Sequence, residues 1–179
     1  MTAKLRVGII GAGRIGKVHA ETLAFRLPEA DLVAIADPDV AAASALAAHC
    51  GTPKVVRDVA EIFADRMIDA VLICSPTATH AEFVIQAARA GKHVFCEKPI
   101  DHSLQKIDRA LREVSKFGVK FQGGIQPAFR RQFCPGAKCG GARPDRNPLP
   151  YAHHQPRPGA TTHVLHSVFR RDLSGHDDS

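Results

Sequence analysis

A chain of 179 residues can hold one ordinary domain with a real core, and hardly two. Apolar content of 45% and charged content of 23% belong to a globular chain. No apolar run approaches a membrane span and no signal-peptide core opens the sequence, so a cytoplasmic protein away from the membrane is expected. The net charge of +6 is unevenly shared: residues 1–122 carry 16 basic and 14 acidic side chains, residues 123–179 carry 8 and 4. The basic excess therefore says little about what the first part binds. Five cysteines, an odd number without framework spacing, predict reduced thiols.

The first predicted element is LRVGII, Leu5 to Ile10, a continuous apolar run of the kind found in strands buried on both faces. G-A-G-R-I-G follows at once, from Gly11 to Gly16, and opens a helix. In that setting Gly11 permits a tight turn, Gly13 lets the backbone approach a pyrophosphate, and Gly16 lets the helix pack closely on the strand. The helix N-terminus offers N–H groups to the anion. The helix, Ile15 to Arg26, puts Ile15, Val18, His19, Thr22 and Leu23 on one stripe and stops at Pro28. DLVAIAD is the second strand. It closes on Asp37, 21 residues after Gly16, where a carboxylate can bind both ribose hydroxyls of a dinucleotide. A 2′-phosphate there would meet negative charge with no arginine immediately following, which favours NAD over NADP. The plainer reading of Asp37 is a turn cap.

An alanine-rich helix then runs to about His49, with Gly51 as its C-cap. KVV is a short strand, followed by a helix around residues 60–65. AVLICS, Ala70 to Ser75, is a buried fourth strand, and HAEFVIQAARAG is a helix begun by His80 and closed by Gly91. HVFCEKP gives a fifth strand, Ser103 can N-cap a helix through Lys116, and VKFQ starts a sixth strand. This alternation predicts an α/β fold over residues 1–122, a Rossmann-type doubly wound parallel sheet. Ligands of such sheets sit beyond the carboxyl ends of the strands. Two of those ends are chemically rich, S-P-T-A-T-H from Ser75 to His80 and C-E-K-P from Cys96 to Pro99. Ser75 and Thr77 offer hydroxyls near a nicotinamide, whereas His80 alone reads as a helix-start or packing residue rather than a base. Lys98 can hydrogen-bond a substrate hydroxyl and favour its alkoxide character during hydride loss. Its plainer reading is one half of a surface Lys–Glu pair. Cys74 and Cys96 read as small apolar packers, and no metal site is expected.

Taken together, G-A-G-R-I-G-K-V-H-A, I-A-D, S-P-T-A-T-H and C-E-K-P-I-D resemble the glucose-fructose oxidoreductase and inositol dehydrogenase (Gfo/Idh/MocA) family over residues 4–122. The resemblance implies NAD held by Gly11, Gly13, Arg14, Ile15, Gly16 and Asp37, with nicotinamide-side contacts from Ser75, Thr77, His80 and Glu97. It implies Lys98 as the catalytic lysine of a hydride transfer between NAD and a secondary alcohol of a cyclic polyol such as myo-inositol. It also implies a second domain that supplies the remaining catalytic pair in a pattern resembling D-M-T-I-H-D, and a homo-oligomer lost without that domain.

Residues 123–179 do not resemble such a domain as printed. Read one base along, taking the last two bases of each codon with the first of the next, they do. Ile125 to Lys138 permit F-N-R-R-F-D-A-N-F-A-R-V-R, Ala152 to His163 permit R-I-T-S-R-D-P-A-P-P-P, and Phe169 to Ser179 permit S-G-G-I-F-(L or R)-D-M-T-I. The expectation is an out-of-frame tail without a stable fold, beginning near codons 123–124, in a truncated and catalytically impaired chain. On this reading the D-x-x-x-H-D spacing of Asp172, His176 and Asp177 is an accident of frame. So are Cys134, Cys139, His153 and His154, whose spacing fits no standard zinc site. The rival readings are a non-catalytic nucleotide-binding module, an unstable product, or a basic tail on nucleic acid. The last lacks aromatic interleaving and a helical stripe, so no nucleic-acid partner is expected.

Overall fold

The computed structural model describes residues 4–124. Its strands are β1 (Leu5–Ile10), β2 (Ala30–Ala36), β3 (Lys54–Val56), β4 (Ala70–Ile73), β5 (His93–Cys96) and β6 (Phe121–Gly123). They form one sheet in the order β3-β2-β1-β4-β5-β6, every neighbouring pair parallel. The crossovers are α1 (Arg14–Arg26), α2 (Val40–Cys50), α3 (Val59–Ala64), α4 (Thr77–Arg89) and α5 (Leu104–Phe117). The predicted doubly wound sheet is thus the one that forms. The shifted-frame tail, the Asp172–His176–Asp177 match and the Cys134, Cys139, His153 and His154 group lie outside the described residues.

Alternation along each strand sends side chains to two separate cores. Val7, Ile9, Ile35, Leu72 and Phe95 meet Ala20 and Leu23 of α1 and Leu46 and Ala47 of α2. Ile10, Val71, Ile73, Val94 and Cys96 face the other way, onto Ile62 of α3, Val84 and Ile85 of α4, and Ala110 and Val114 of α5. Cover on both faces explains why the strands read as unbroken apolar runs. The helix ends are written locally. Asp39 caps α2 by accepting from the Ala41 and Ala42 N–H groups, and Gly51 closes that helix at φ 70°.

Three details differ from expectation. Val18 is 36% exposed, because the inward face of α1 is carried by Gly16, His19, Ala20, Thr22 and Leu23, leaving Val18 at the rim. α4 starts at Thr77 rather than His80, since Pro76 stands before it in extended conformation and receives both the Thr79 N–H (2.9 Å) and the Thr79 hydroxyl (2.8 Å) on its carbonyl. His80 therefore lies inside the helix and faces inward. Ser103 holds the N-cap position of α5, yet its hydroxyl caps nothing; Asp101 Oδ1 accepts the Ser103 N–H instead, at 2.9 Å.

Candidate functional site

β1 and β4 are neighbours, but the helices that follow them pack on opposite faces of the sheet. Their divergence opens a crevice beyond the strands' carboxyl ends, the place where dinucleotides sit in sheets of this order. Gly11 leaves β1 at φ +106°, and a Cβ there would stand 2.7 Å from the Cys74 carbonyl carbon and oxygen. No other residue suits both that angle and that approach. A Cβ on Gly16 would run into the Gly11 carbonyl oxygen, so α1 can close onto β1 only with glycine at this position. Gly13 differs from both. A Cβ there would meet nothing within 4 Å, which leaves the flank of the loop open.

Gly13 is also the N-cap of α1, and no side chain caps that end. The first turn, with Arg14 exposed and Ile15 half-buried, presents its N–H groups to an anion. Asp37 follows β2, and its carboxylate accepts the Ala12 N–H at 2.7 Å and the Asp39 N–H at 2.8 Å. It ties the glycine loop to the second strand, and its two oxygens still hold lone pairs for further donors. An open loop flank, an uncapped helix end and a carboxylate one strand away fit the pyrophosphate and ribose of a dinucleotide.

The opposite lip is made by the exits of β4 and β5. Ser75 Oγ lies 2.7 Å from Thr79 Oγ1. Thr79 gives its only proton to the Pro76 carbonyl, so Ser75 donates to Thr79 and remains an acceptor toward any ligand. Thr77 is half-buried, and its hydroxyl has no partner among the described residues. His80, 2% exposed, places Nδ1 2.8 Å from the Pro99 carbonyl and Nε2 2.7 Å from the Ser75 carbonyl. The ring clasps the two exits together, and neither nitrogen faces solvent as a base would. Lys98 is exposed; its N–H donates to Glu97 Oε2 at 3.2 Å, and its ammonium makes no hydrogen bond or ion pair among the described residues.

Glu97 joins the two lips. Its N–H reaches the Ile73 carbonyl at 2.9 Å, and its Oε1 lies 2.7 Å from His19 Nε2, across from α1. Burial pushes the carboxyl up, but the hydrogen bond to His19, with the Lys98 N–H and ammonium, holds it below its ordinary 4.5. Sequence reasoning placed His19 only on a helical stripe. The available signal was a polar ring at a position where packing alone takes an aliphatic side chain. Burial pushes the Cys96 thiol up to about 12, with the Glu97 charge adding to it. Burial likewise raises Cys74 well above its ordinary value, aided by Glu97 and Cys96, so both stay thiols at neutral pH. Among the described residues no group of three His, Cys, Asp or Glu is placed to hold a metal.

A family profile described as "Oxidoreductase family, NAD-binding Rossmann fold" (GFO_IDH_MocA) matches residues 5–125. The inositol 2-dehydrogenase of Rhizobium meliloti is 46% identical over 131 residues, 73% of this chain and 38% of that protein. The myo-inositol 2-dehydrogenase of Thermotoga maritima is 42% identical over 129 residues, 72% of this chain and 38% of that one. A crystal structure of scyllo-inositol dehydrogenase from Lactobacillus casei, with bound NAD(H) and scyllo-inositol, superposes with a TM-score of 0.66 at 33% identity. That superposition covers 74% of this chain and 38% of the other. The chain spans about 38% of the length of the curated relatives it matches.

Proposed function

The chain belongs to the Gfo/Idh/MocA oxidoreductase family, with its NAD-binding Rossmann fold, and from that premise we propose that it binds NAD across the β1–β4 crevice as the nucleotide part of an oxidoreductase acting on a cyclic polyol such as myo-inositol. The observation that carries this reading is the 2.7 Å contact of His19 with Glu97, which joins the helix of the glycine loop to the exit bearing Lys98. The names of the relatives support the polyol class.

In this reading Gly11, Gly13 and Gly16 shape the loop for the pyrophosphate, and the first-turn N–H groups at Arg14 and Ile15 face it. Asp37 takes the ribose hydroxyls, and Pro38 rather than an arginine follows it, which favours NAD over NADP. NAD, when bound, supplies the hydride acceptor. Ser75 accepts from an amide N–H, Thr77 offers its hydroxyl beside it, and His80 keeps both exits in register. Lys98 donates a hydrogen bond to the substrate hydroxyl and stabilises the charge that develops there as hydride leaves.

Removing the hydroxyl proton needs a base beyond these residues; of the D-M-T-I-H-D pattern that would carry one, the shifted frame permits D-M-T-I up to Ser179, with His and an acid to follow if Ser179 is TCA before a TGA stop. We therefore expect NAD binding by the 179-residue chain without inositol-dependent NADH formation. Measurable turnover would overturn the shifted-frame reading, as would stops or unrelated residues in that frame on resequencing the gene from codon 115. For the nucleotide site the test is a thermal melt with either cofactor. Saturation at a hundred times Kd stabilises by about 2.7 kcal/mol, so NAD should raise the midpoint by several degrees and NADP by less. A midpoint indifferent to NAD removes the proposal.

A further inference from the structure

His19 is buried at 3% exposure in the second turn of α1, where its ring meets Phe95 edge-on at a centroid distance of 5.2 Å. Its Nε2 takes Glu97, while its Nδ1 is buried with no hydrogen-bond partner among the described residues. An N–H at Nδ1 would thus be an unsatisfied buried donor, whereas an Nε2–H pointed at a carboxylate is well used. The ring consequently holds its proton on Nε2, and Glu97 is the anion. Since Nδ1 meets no further group among the described residues, these residues give the ring no onward path for a proton, and its role is positional.

The carboxylate is held from several sides. Oε1 faces His19 on α1, Oε2 accepts the Lys98 N–H, and a Cβ added at Gly124 past the end of β6 would come within 3.1 Å of Oε2. Gly124 itself is fixed by its N–H to the Cys96 carbonyl at 2.8 Å. The titratable groups facing Glu97 are His19, Lys98 and the thiols of Cys74 and Cys96, and His19 and Lys98 are the ones that favour its charged form.

We propose that His19 is a positioning residue for the Lys98 exit: as the Nε2–H tautomer it holds Glu97 ionised against the Lys98 backbone, so that the helix of the glycine loop and the lysine-bearing exit move as one body. The significance of Lys98 here rests on the proposed oxidoreductase reading, but the tautomer and the hold on Glu97 do not.

Three measurements on the full 179-residue chain test it. In nitrogen-15 spectra of the His19 ring, assigned by its loss in His19→Gln, the unliganded protein should show a protonated Nε2 and a bare Nδ1. A protonated Nδ1 overturns the proposal. In carbon-13 spectra of the Glu97 carboxyl, His19→Leu should raise the titration midpoint. His19→Gln, whose amide can place a donor near the Nε2 position, should restore part of the difference. Equal midpoints in the parent and both variants overturn it. Finally, NADH should bind roughly tenfold more weakly to His19→Leu than to the parent, as expected for losing a hydrogen bond to a charged group, with recovery in His19→Gln. Unchanged binding in His19→Leu counts against coupling of the two segments. A parent that binds no NADH removes the proposed function, while the two spectroscopic readouts still decide the role of His19.

Discussion

At the scale of single residues, the glycine loop separates what folding needs from what a ligand needs. Gly16→Ala sets a methyl against the Gly11 carbonyl oxygen, backbone that cannot move without shifting β1. A loss of about 1–3 kcal/mol in urea unfolding is expected, the usual cost of overpacking. Gly13→Ala meets open space at φ −68°, an angle alanine accepts, so stability should change by less than about 1 kcal/mol. Its NADH affinity, measured by fluorescence titration, should nevertheless fall about tenfold or more, because the methyl enters the volume proposed for the pyrophosphate. Equal losses of stability in the two variants would contradict this division. Asp37 belongs to both classes. It orders the loop through the Ala12 N–H at 2.7 Å, and it is the proposed ribose ligand, so Asp37→Ser should lower the NADH-to-NADPH affinity ratio as well as the melting midpoint.

At the scale of elements, the amino ends of the strands are held by polar groups that have no part in the proposed site. Arg6 of β1 grips Asp69, just before β4, through Nη2 to Oδ1 at 2.6 Å, Nε to Oδ2 at 2.9 Å and its own N–H to Oδ2 at 2.9 Å. The Arg6 hydrogen bond, against some burial, holds the Asp69 carboxyl below its ordinary 3.8. A depressed carboxyl stabilises the fold fully above its unfolded value, and that stability is lost as pH falls through the folded value. Asp69→Asn should therefore flatten the dependence of unfolding free energy on pH below about 4. A slope identical to the parent's there would show that Asp69 contributes nothing to acid stability. Lys92, 3% exposed at the start of β5, donates to the carbonyls of Asp65 at 2.6 Å and Ile68 at 2.9 Å, closing the turn between α3 and β4. Lys92→Met leaves both carbonyls without that donor, and a destabilisation of about 2 kcal/mol or more is expected by thermal unfolding.

At the scale of the whole molecule, strand order makes the site. Placing β4 beside β1 brings two segments some sixty residues apart to the lips of one crevice, and α1 and α4 leave it on opposite faces. The element types, the parallel sheet, the glycine loop and the acid after β2 were all legible in the sequence. Each is written in a short-range signal: an apolar run, a glycine needing an unusual φ, a residue at a fixed offset. Exposure of Val18 and the early start of α4 at Thr77, just after Pro76, were not, because a stripe's edge and a proline's carbonyl acquire meaning only from what packs and bonds there. Nor were the hydrogen bonds that hold the site together, which run from Asp37 to Ala12 over 25 positions and from Glu97 to His19 over 78. The amino-acid order by itself determined which segments become strands and helices and where a dinucleotide could be met. Tertiary structure alone decided that His19 faces Glu97, that His80 clasps two carbonyls, and that Lys92 closes a distant turn. A side chain's local pattern shows that it is buried, whereas its partner is set by the sheet that carries both.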